Sequence, residues 1–170
     1  MPSPVFVVGL PVFLVAAAVS DVRRRQIPNY LSGGMAVVGF MLCLSGAGVV
    51  ATGPALLAGG SAMLIGLLLQ VVRLVGGGDV KLFAAMAIWI GPKASLDAVL
   101  ATALAGGVLA LFFLRRQSSP GGAALPDGPL MSRLQLDEGR DFERVPYGVA
   151  VAAGGLWVWW SHLGTPGGWS

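Results

Sequence analysis

The chain has 170 residues, of which 55% are hydrophobic and only 11% are charged, whereas a soluble domain carries about 25% charged residues. This composition indicates a membrane protein. Glycine and proline are frequent, but they follow no G-X-Y repeat and the other residues are mostly apolar, which excludes the collagen-like and disordered classes.

The single cysteine and the single histidine, Cys43 and His162, limit the chemistry of the chain. One cysteine leaves no partner for a disulfide and no cluster at zinc-ligand spacing, so we expect no metal site and no cofactor. The formal net charge of +3 is a weak nucleic-acid signal. Its basic residues lie in short segments between apolar stretches, where membrane topology explains them, and we expect no nucleic-acid partner.

Six apolar segments predict membrane-spanning helices. No charged residue occurs from Gln26 to Val72, a stretch of 47 positions that holds two spans of about 20 residues each. A turn rich in glycine over 46–54 separates them. The fourth segment is the shortest of the six. The predicted spans are Val5–Ser20, Tyr30–Gly46, Pro54–Val72, Val80–Gly91, Ser95–Leu114 and Val145–Leu163.

The basic residues predict the orientation of these spans. With the N-terminus outside, residues 21–29, 73–81 and 115–146 lie in the cytosol and contain ten of the eleven lysines and arginines; only Lys93 lies outside. This distribution follows the positive-inside rule, and no basic residue precedes the first span as in a signal peptide. We expect an all-α polytopic membrane protein with a single domain, residues 1–170, and a partly flexible cytosolic loop at 115–146.

Two aspartates, Asp21 and Asp79, lie where apolar helices meet the predicted cytosolic face. Considered singly, one could pair with a neighbouring arginine and the other could cap its helix. An acid this close to hydrocarbon, however, needs water, a partner or a function. Two carboxyl groups a few ångströms apart do not both ionise easily. One then keeps its proton while the other takes a proton from a water held between them, as in aspartic proteases.

Three segments resemble the signature segments of the type IV prepilin peptidases, which are membrane-embedded aspartic proteases of the Gly-x-Gly-Asp class. They are residues 20–29, which begin Ser20-Asp21 and end Ile27-Pro28-Asn29, residues 76–81, which read Gly76-Gly77-Gly78-Asp79-Val80-Lys81, and the segment Val145-Pro146-Tyr147-Gly148. The resemblance implies cleavage of the leader of a type IV prepilin or pseudopilin at the cytosolic face of the bacterial inner membrane. By motif alignment, Asp21 and Asp79 take the catalytic positions.

Residues beside the two aspartates are candidates for binding substrate or shaping the site: Pro28, Asn29, Gly76, Gly77, Gly78, Lys81, Pro146 and Tyr147. The glycine run leaves no side chain between the Asp79 carboxyl group and an extended peptide. Pro28 favours a helix boundary, and Asn29 is expected to cap the second span. Lys81 follows Asp79 by two residues, which places it on the opposite side of a regular helix, so we expect it to contact lipid headgroups.

The chain resembles the short, peptidase-only members associated with Flp-type pili, because it lacks the paired zinc-binding cysteines and the methyltransferase part of larger relatives. Two other functions remain open. A small carrier or channel could use the two acids for protons or cations, although transport sites usually lie near the bilayer midplane. A non-catalytic pilus-assembly subunit could use them as caps or ion-pair partners. The sequence leaves the oligomeric state open.

Overall fold

The computed structural model describes residues 3–24, 26–72, 75–117 and 147–163. These residues form helices joined by turns, and no strand occurs among them, so the predicted all-α class is confirmed. The helices are α1 (Pro4–Arg24), α2 (Asn29–Leu44), α3 (Thr52–Val71), α4 (Gly77–Gln117) and α5 (Tyr147–Leu163).

Three of these helices contain segments long and apolar enough to cross a membrane: Pro4–Arg24, Thr52–Val71 and Gly77–Phe112, while α2 is a shorter apolar helix. α1 continues about one turn beyond the predicted end at Ser20, so Asp21 lies within the helix rather than after it. The number of spans and the outside location of the N-terminus remain predictions.

α4 covers both the fourth and the fifth predicted span but is broken at Gly91, whose φ of 76° and ψ of −179° are not helical. Side chains disfavour this positive φ, and a Cβ at Gly91 would lie 2.7 Å from Cγ2 of Val50. Pro92 follows and cannot donate a backbone hydrogen bond. We call the part before the break α4a (residues 77–90) and the part after it α4b (residues 92–117).

Contacts between helix ends establish that α2 runs parallel to α4a. Near their starts, Lys81 Nζ donates a hydrogen bond to Oδ1 of Asn29 at 2.9 Å. Toward their last residues, Sγ of Cys43 donates a weak hydrogen bond to the carbonyl oxygen of Ile88 at 3.7 Å. Both helices therefore begin at one end of the bundle, which we call the aspartate end because α1 brings Asp21 there.

α5 runs antiparallel to α4b. Near the start of α5, Ala150 lies against Gly106 of α4b, and near its end His162 Nε2 lies 3.2 Å from Oδ2 of Asp97. α4b therefore returns toward the aspartate end after the break at Gly91, and α5 leaves from that end.

The buried core is centred on Trp89 of α4a, which is 2% exposed. Its Nε1 donates a hydrogen bond to the carbonyl oxygen of Met35 at 2.7 Å, and the rings of Phe6 and Phe13 lie 5.8 and 6.3 Å from its own. The indole lies so close to α2 that a Cβ at Gly39 would collide with it. One side chain thus joins α1, α2 and α4a.

We expect Gly39→Ala to destabilise the protein by about 1–3 kcal/mol, because the added methyl group displaces the indole of Trp89. Gly33→Ala is the matched control in the same helix, since a Cβ there meets nothing within 4 Å. The control should be neutral or stabilise by up to about 1 kcal/mol, because alanine favours the helix over glycine. Denaturation of both variants in detergent measures the difference, and equal losses would contradict the packing described for Trp89.

Candidate active site

Asp21 lies on the inward face of α1, at the aspartate end of the bundle. Buried residues recur on this face at helical spacing: Phe6, Leu10, Leu14, Ala17 and Asp21. The acid is only 7% exposed, although carboxylates are seldom buried this far without partners. The sequence therefore places a carboxyl group where the periodicity of α1 otherwise places an apolar side chain.

The first turn of α5 lies against the Asp21 carboxyl group. Backbone N–H groups in a first turn have no partner within their own helix, and those of Gly148 and Val149 face this carboxyl group. A Cβ at Gly148 would lie 2.7 Å from Oδ2 of Asp21, so only glycine permits the approach. Oδ2 is buried and has no hydrogen-bond partner of good geometry in the described part of the chain. Such atoms are rare in folded proteins and call for an explanation.

Asp79 lies in the first turn of α4a and is partly buried. Its carboxyl group turns back toward Gly76, where a Cβ would lie 2.9 Å from Oδ2 of Asp79. A side chain at position 76 would therefore crowd the carboxyl group in this place. An acid in the first turn also interacts favourably with the positive end of the helix dipole.

The next two glycines of the run face neighbouring segments. A Cβ at Gly77 would lie 2.8 Å from Nε2 of Gln70, near the end of α3, and a Cβ at Gly78 would lie 3.4 Å from Cβ of Ile27. The glycine run therefore brings the start of α4a close both to α3 and to the turn between α1 and α2.

Ile27 connects the surroundings of the two aspartates. It packs near Gly78, which precedes Asp79, and its Cδ1 lies 2.9 Å from the position of a Cβ at Gly148, beside Asp21. The two carboxyl groups are close enough for the charge on Asp21 to act on Asp79. Residues 58 positions apart in the sequence thus share one end of the bundle.

Asn29 does not cap α2, contrary to the prediction. The N-cap residue is Pro28, in extended conformation and without a side-chain capping bond, whereas Oδ1 of Asn29 accepts the hydrogen bond from Lys81. The Asn29 amide bonds to the neighbouring helix instead of capping its own, because the starts of α2 and α4a lie side by side. The expected headgroup contact of Lys81 remains a prediction.

The third resembling segment falls partly outside the described residues, including Pro146. Tyr147, the first residue of α5, is 50% exposed, and its ring lies near Gly106 of α4b. Its neighbour Gly148 lies against Asp21.

Sequence reasoning missed three residues of the site: Gly148, Ile27 and Gln70. Gly148 and Ile27 stand within the resembling segments, so their position in those motifs was the available signal. Gln70 also offered a signal, because it is the only polar residue between Leu64 and Val72, near the end of an apolar span.

An apolar groove of about 580 Å³ extends from Asp79 between α3, α4a and α4b. Its walls include Leu69 from α3, Phe83 from α4a, and Val99 and Ala103 from α4b. The groove extends as far as Pro92, beside the break at Gly91. Asp79 is its one acidic lining residue in the described part of the chain.

The described residues contain no group of three or more His, Cys, Asp or Glu side chains that could hold a metal ion. The arrangement at the aspartate end is therefore that of two carboxyl groups, several backbone N–H groups and an adjoining apolar groove.

Residues 8–111 match the type IV leader peptidase family, which is more than half of the chain. The chain belongs to this family. The match confirms the predicted resemblance and includes both Asp21 and Asp79. Curated proteins and solved structures gave no match. Membership of the type IV leader peptidase family implies peptidase activity and a prepilin-type substrate in general, and it agrees with a membrane location.

We expect Gly148→Ala to lower peptidase activity by about 100-fold, because the new methyl group displaces the Asp21 carboxyl group and Ile27, and misplacements near 1 Å cost this much. Gly107→Ala is the matched control, since a Cβ there meets nothing within 4 Å. Cleavage rates, measured beside the melting temperature, separate a displaced carboxyl group from a misfolded protein. Full activity of Gly148→Ala would disprove the role given to this contact.

Proposed function

We propose that the chain is an aspartic endopeptidase that cleaves the leader peptide of type IV prepilins or pseudopilins of the Flp type. In this proposal Asp21 and Asp79 form the catalytic pair, and cleavage takes place at the cytosolic face of the bacterial inner membrane. The main support is the Asp21 carboxyl group, which is buried against the first turn of α5 with Oδ2 unbonded and lies close enough to Asp79 for its charge to act there.

The comparison with Asp97 strengthens this choice of residues. Asp97 lies at the opposite end of the bundle, is 57% exposed and pairs with His162, so its charge has both solvent and a partner. Neither aspartate of the proposed pair has a basic partner among the described residues. An acid that is buried without a counter-charge is costly to keep unless it serves a function.

The chemistry requires one proton shared by the two carboxyl groups. The ionised carboxyl group takes a proton from water, and the water oxygen attacks the carbonyl carbon of the scissile bond. The protonated carboxyl group donates a hydrogen bond to the carbonyl oxygen as negative charge develops there. When the tetrahedral intermediate collapses, the C–N bond breaks and the leaving amine takes up the proton that the ionised carboxyl group had taken from water. The pair titrates as a unit, so we assign neither role to one residue.

The groove beside Asp79 supports a substrate whose apolar segment enters the membrane next to the scissile bond. A peptide at membrane depth has to satisfy its backbone hydrogen bonds within itself, so this segment is helical. The glycine run from Gly76 to Gly78 leaves the backbone free of side chains where the segment would meet the catalytic pair.

Beyond peptidase activity we assign no methyl transfer, since the single cysteine, Cys43, supports no zinc-binding pair.

We expect Asp21→Asn and Asp79→Asn each to abolish cleavage, because an amide can neither take the proton from water nor share one with its partner. Asp97→Asn is the matched control and should cleave at the wild-type rate. The measurement is intact-mass analysis of an Flp-type prepilin incubated with each variant in liposomes. Wild-type protein and Asp97→Asn should each remove one mass of leader size from the prepilin, and the other two variants should remove none.

Cleavage by all variants alike would indicate a contaminating protease and remove the evidence for catalysis by this pair. No cleavage by folded wild-type protein, with precursors from the same genome, would reject the proposed substrate. Ion flux in proteoliposomes that both Asn substitutions remove would instead establish a carrier or channel.

We expect Ala103→Trp, which fills the groove, to slow cleavage of a membrane-inserted precursor by roughly tenfold or more, because the apolar segment no longer places the scissile bond correctly. Leu104→Trp is the control, since Leu104 is 72% exposed and does not line the groove. A short peptide that lacks the apolar segment should be cleaved equally by both variants. Equal rates on the inserted precursor would show that substrate binds elsewhere.

A further inference from the structure

A second groove, of about 660 Å³, lies on the outer surface of α1 and reaches Tyr30 at the start of α2. Its lining on α1 recurs at helical spacing through Pro11, Val15, Val19 and Arg23, which places these residues on one face of the helix. We call it the α1 groove. It is separate from the groove that contains Asp79.

The α1 groove faces away from the catalytic pair. The inward face of α1 buries Leu14 and Asp21, whereas the groove residues Val12 and Val19 are 59% and 44% exposed. At 3.6 residues per turn, Val12 and Val19 lie nearly opposite Asp21 on the helix. A ligand in the α1 groove therefore contacts neither carboxyl group, and its binding does not depend on the proposed function.

The lining of the α1 groove changes from apolar to cationic along the helix. From Pro11 to Val19 it is apolar, and Arg23 and Arg24 follow one turn later, together with the exposed Tyr30. Both arginines are exposed, and no acid pairs with either of them in the described residues. The cationic end therefore complements an anionic group at the border of the hydrocarbon.

The length of the apolar part corresponds to one leaflet of a membrane. Pro11 to Val19 spans about 12 Å at 1.5 Å per residue, close to half of the hydrocarbon core of about 30 Å. The two arginines then stand at the depth of the lipid phosphates in that leaflet. An acyl chain thus reaches the apolar lining while its own headgroup reaches the arginines.

We infer that the α1 groove binds one anionic phospholipid. Its acyl chain lies along Val12, Val15 and Val19, and its phosphodiester accepts hydrogen bonds from Arg23, Arg24 and the hydroxyl group of Tyr30. Arginine binds phosphate with several N–H donors in a fixed geometry. A zwitterionic lipid carries the same phosphate but adds a cation near the arginines, so it binds less tightly.

Native mass spectrometry of the full chain in detergent tests this inference with phosphatidylglycerol and phosphatidylcholine of the same acyl chains. We expect one phosphatidylglycerol per chain, bound in preference to phosphatidylcholine. The double substitution Arg23→Gln with Arg24→Gln should weaken phosphatidylglycerol binding about 30-fold, as expected for two arginine contacts with an anionic lipid. Arg115→Gln, an exposed arginine outside the groove, is the matched control and should bind as the wild type does.

A second pair of variants tests the apolar part without changing charge. Ala16→Trp fills the α1 groove and should also weaken binding, whereas Val8→Trp, on an exposed position outside it, should not. Equal binding of both lipids, equal loss with Arg115→Gln, or unchanged binding with Ala16→Trp would overturn the inference. A dimer that excludes lipid from this face would overturn it as well.

Discussion

Close packing of α4a against the other helices is the constraint on which the rest of the structure depends. Lipid is as apolar an environment for side chains as a protein core, so the hydrophobic effect does not drive helices together in a membrane. They associate through close packing and hydrogen bonds. Glycines permit this close packing here, since Trp89 packs against Gly39 and Val80 packs against Gly66. The hydrogen bond from Trp89 to the carbonyl oxygen of Met35 fixes the orientation of the indole in this packing. The rotation of α4a, and with it the position of Asp79, follows from these contacts.

The aspartate end extends the same principle to polar groups. Gly148 lets the first turn of α5 approach Asp21, and Gly78 lets α4a approach Ile27. A methyl group at position 148 would push the first turn of α5 away from the Asp21 carboxyl group. The catalysis that we propose for these two acids needs such short separations, because a displacement of 1 Å lowers the rate greatly.

The helical class, the break between the fourth and fifth spans and the two aspartates were predictable from the sequence. Apolar runs and charges identify helices, and Gly91-Pro92 marks the break. The contacts of Gly148, Ile27 and Gln70 were not predictable, because helices that are apolar on all sides do not reveal which face turns inward. Asn29 shows the same limit: its position favours a cap, and only the neighbouring helix supplies Lys81 as a better partner.

The break at Gly91 has a topological consequence for the rest of the chain. Because α4b returns toward the aspartate end and α5 starts there, the two helices that flank residues 118–146 end and begin on the side of the bundle that holds the two carboxyl groups. The turn at residues 45–51, which joins α2 to α3, is attached at the far end. Changes of length or charge in the first segment therefore act from the same side of the bundle as the site, whereas equal changes in the second act from the opposite side.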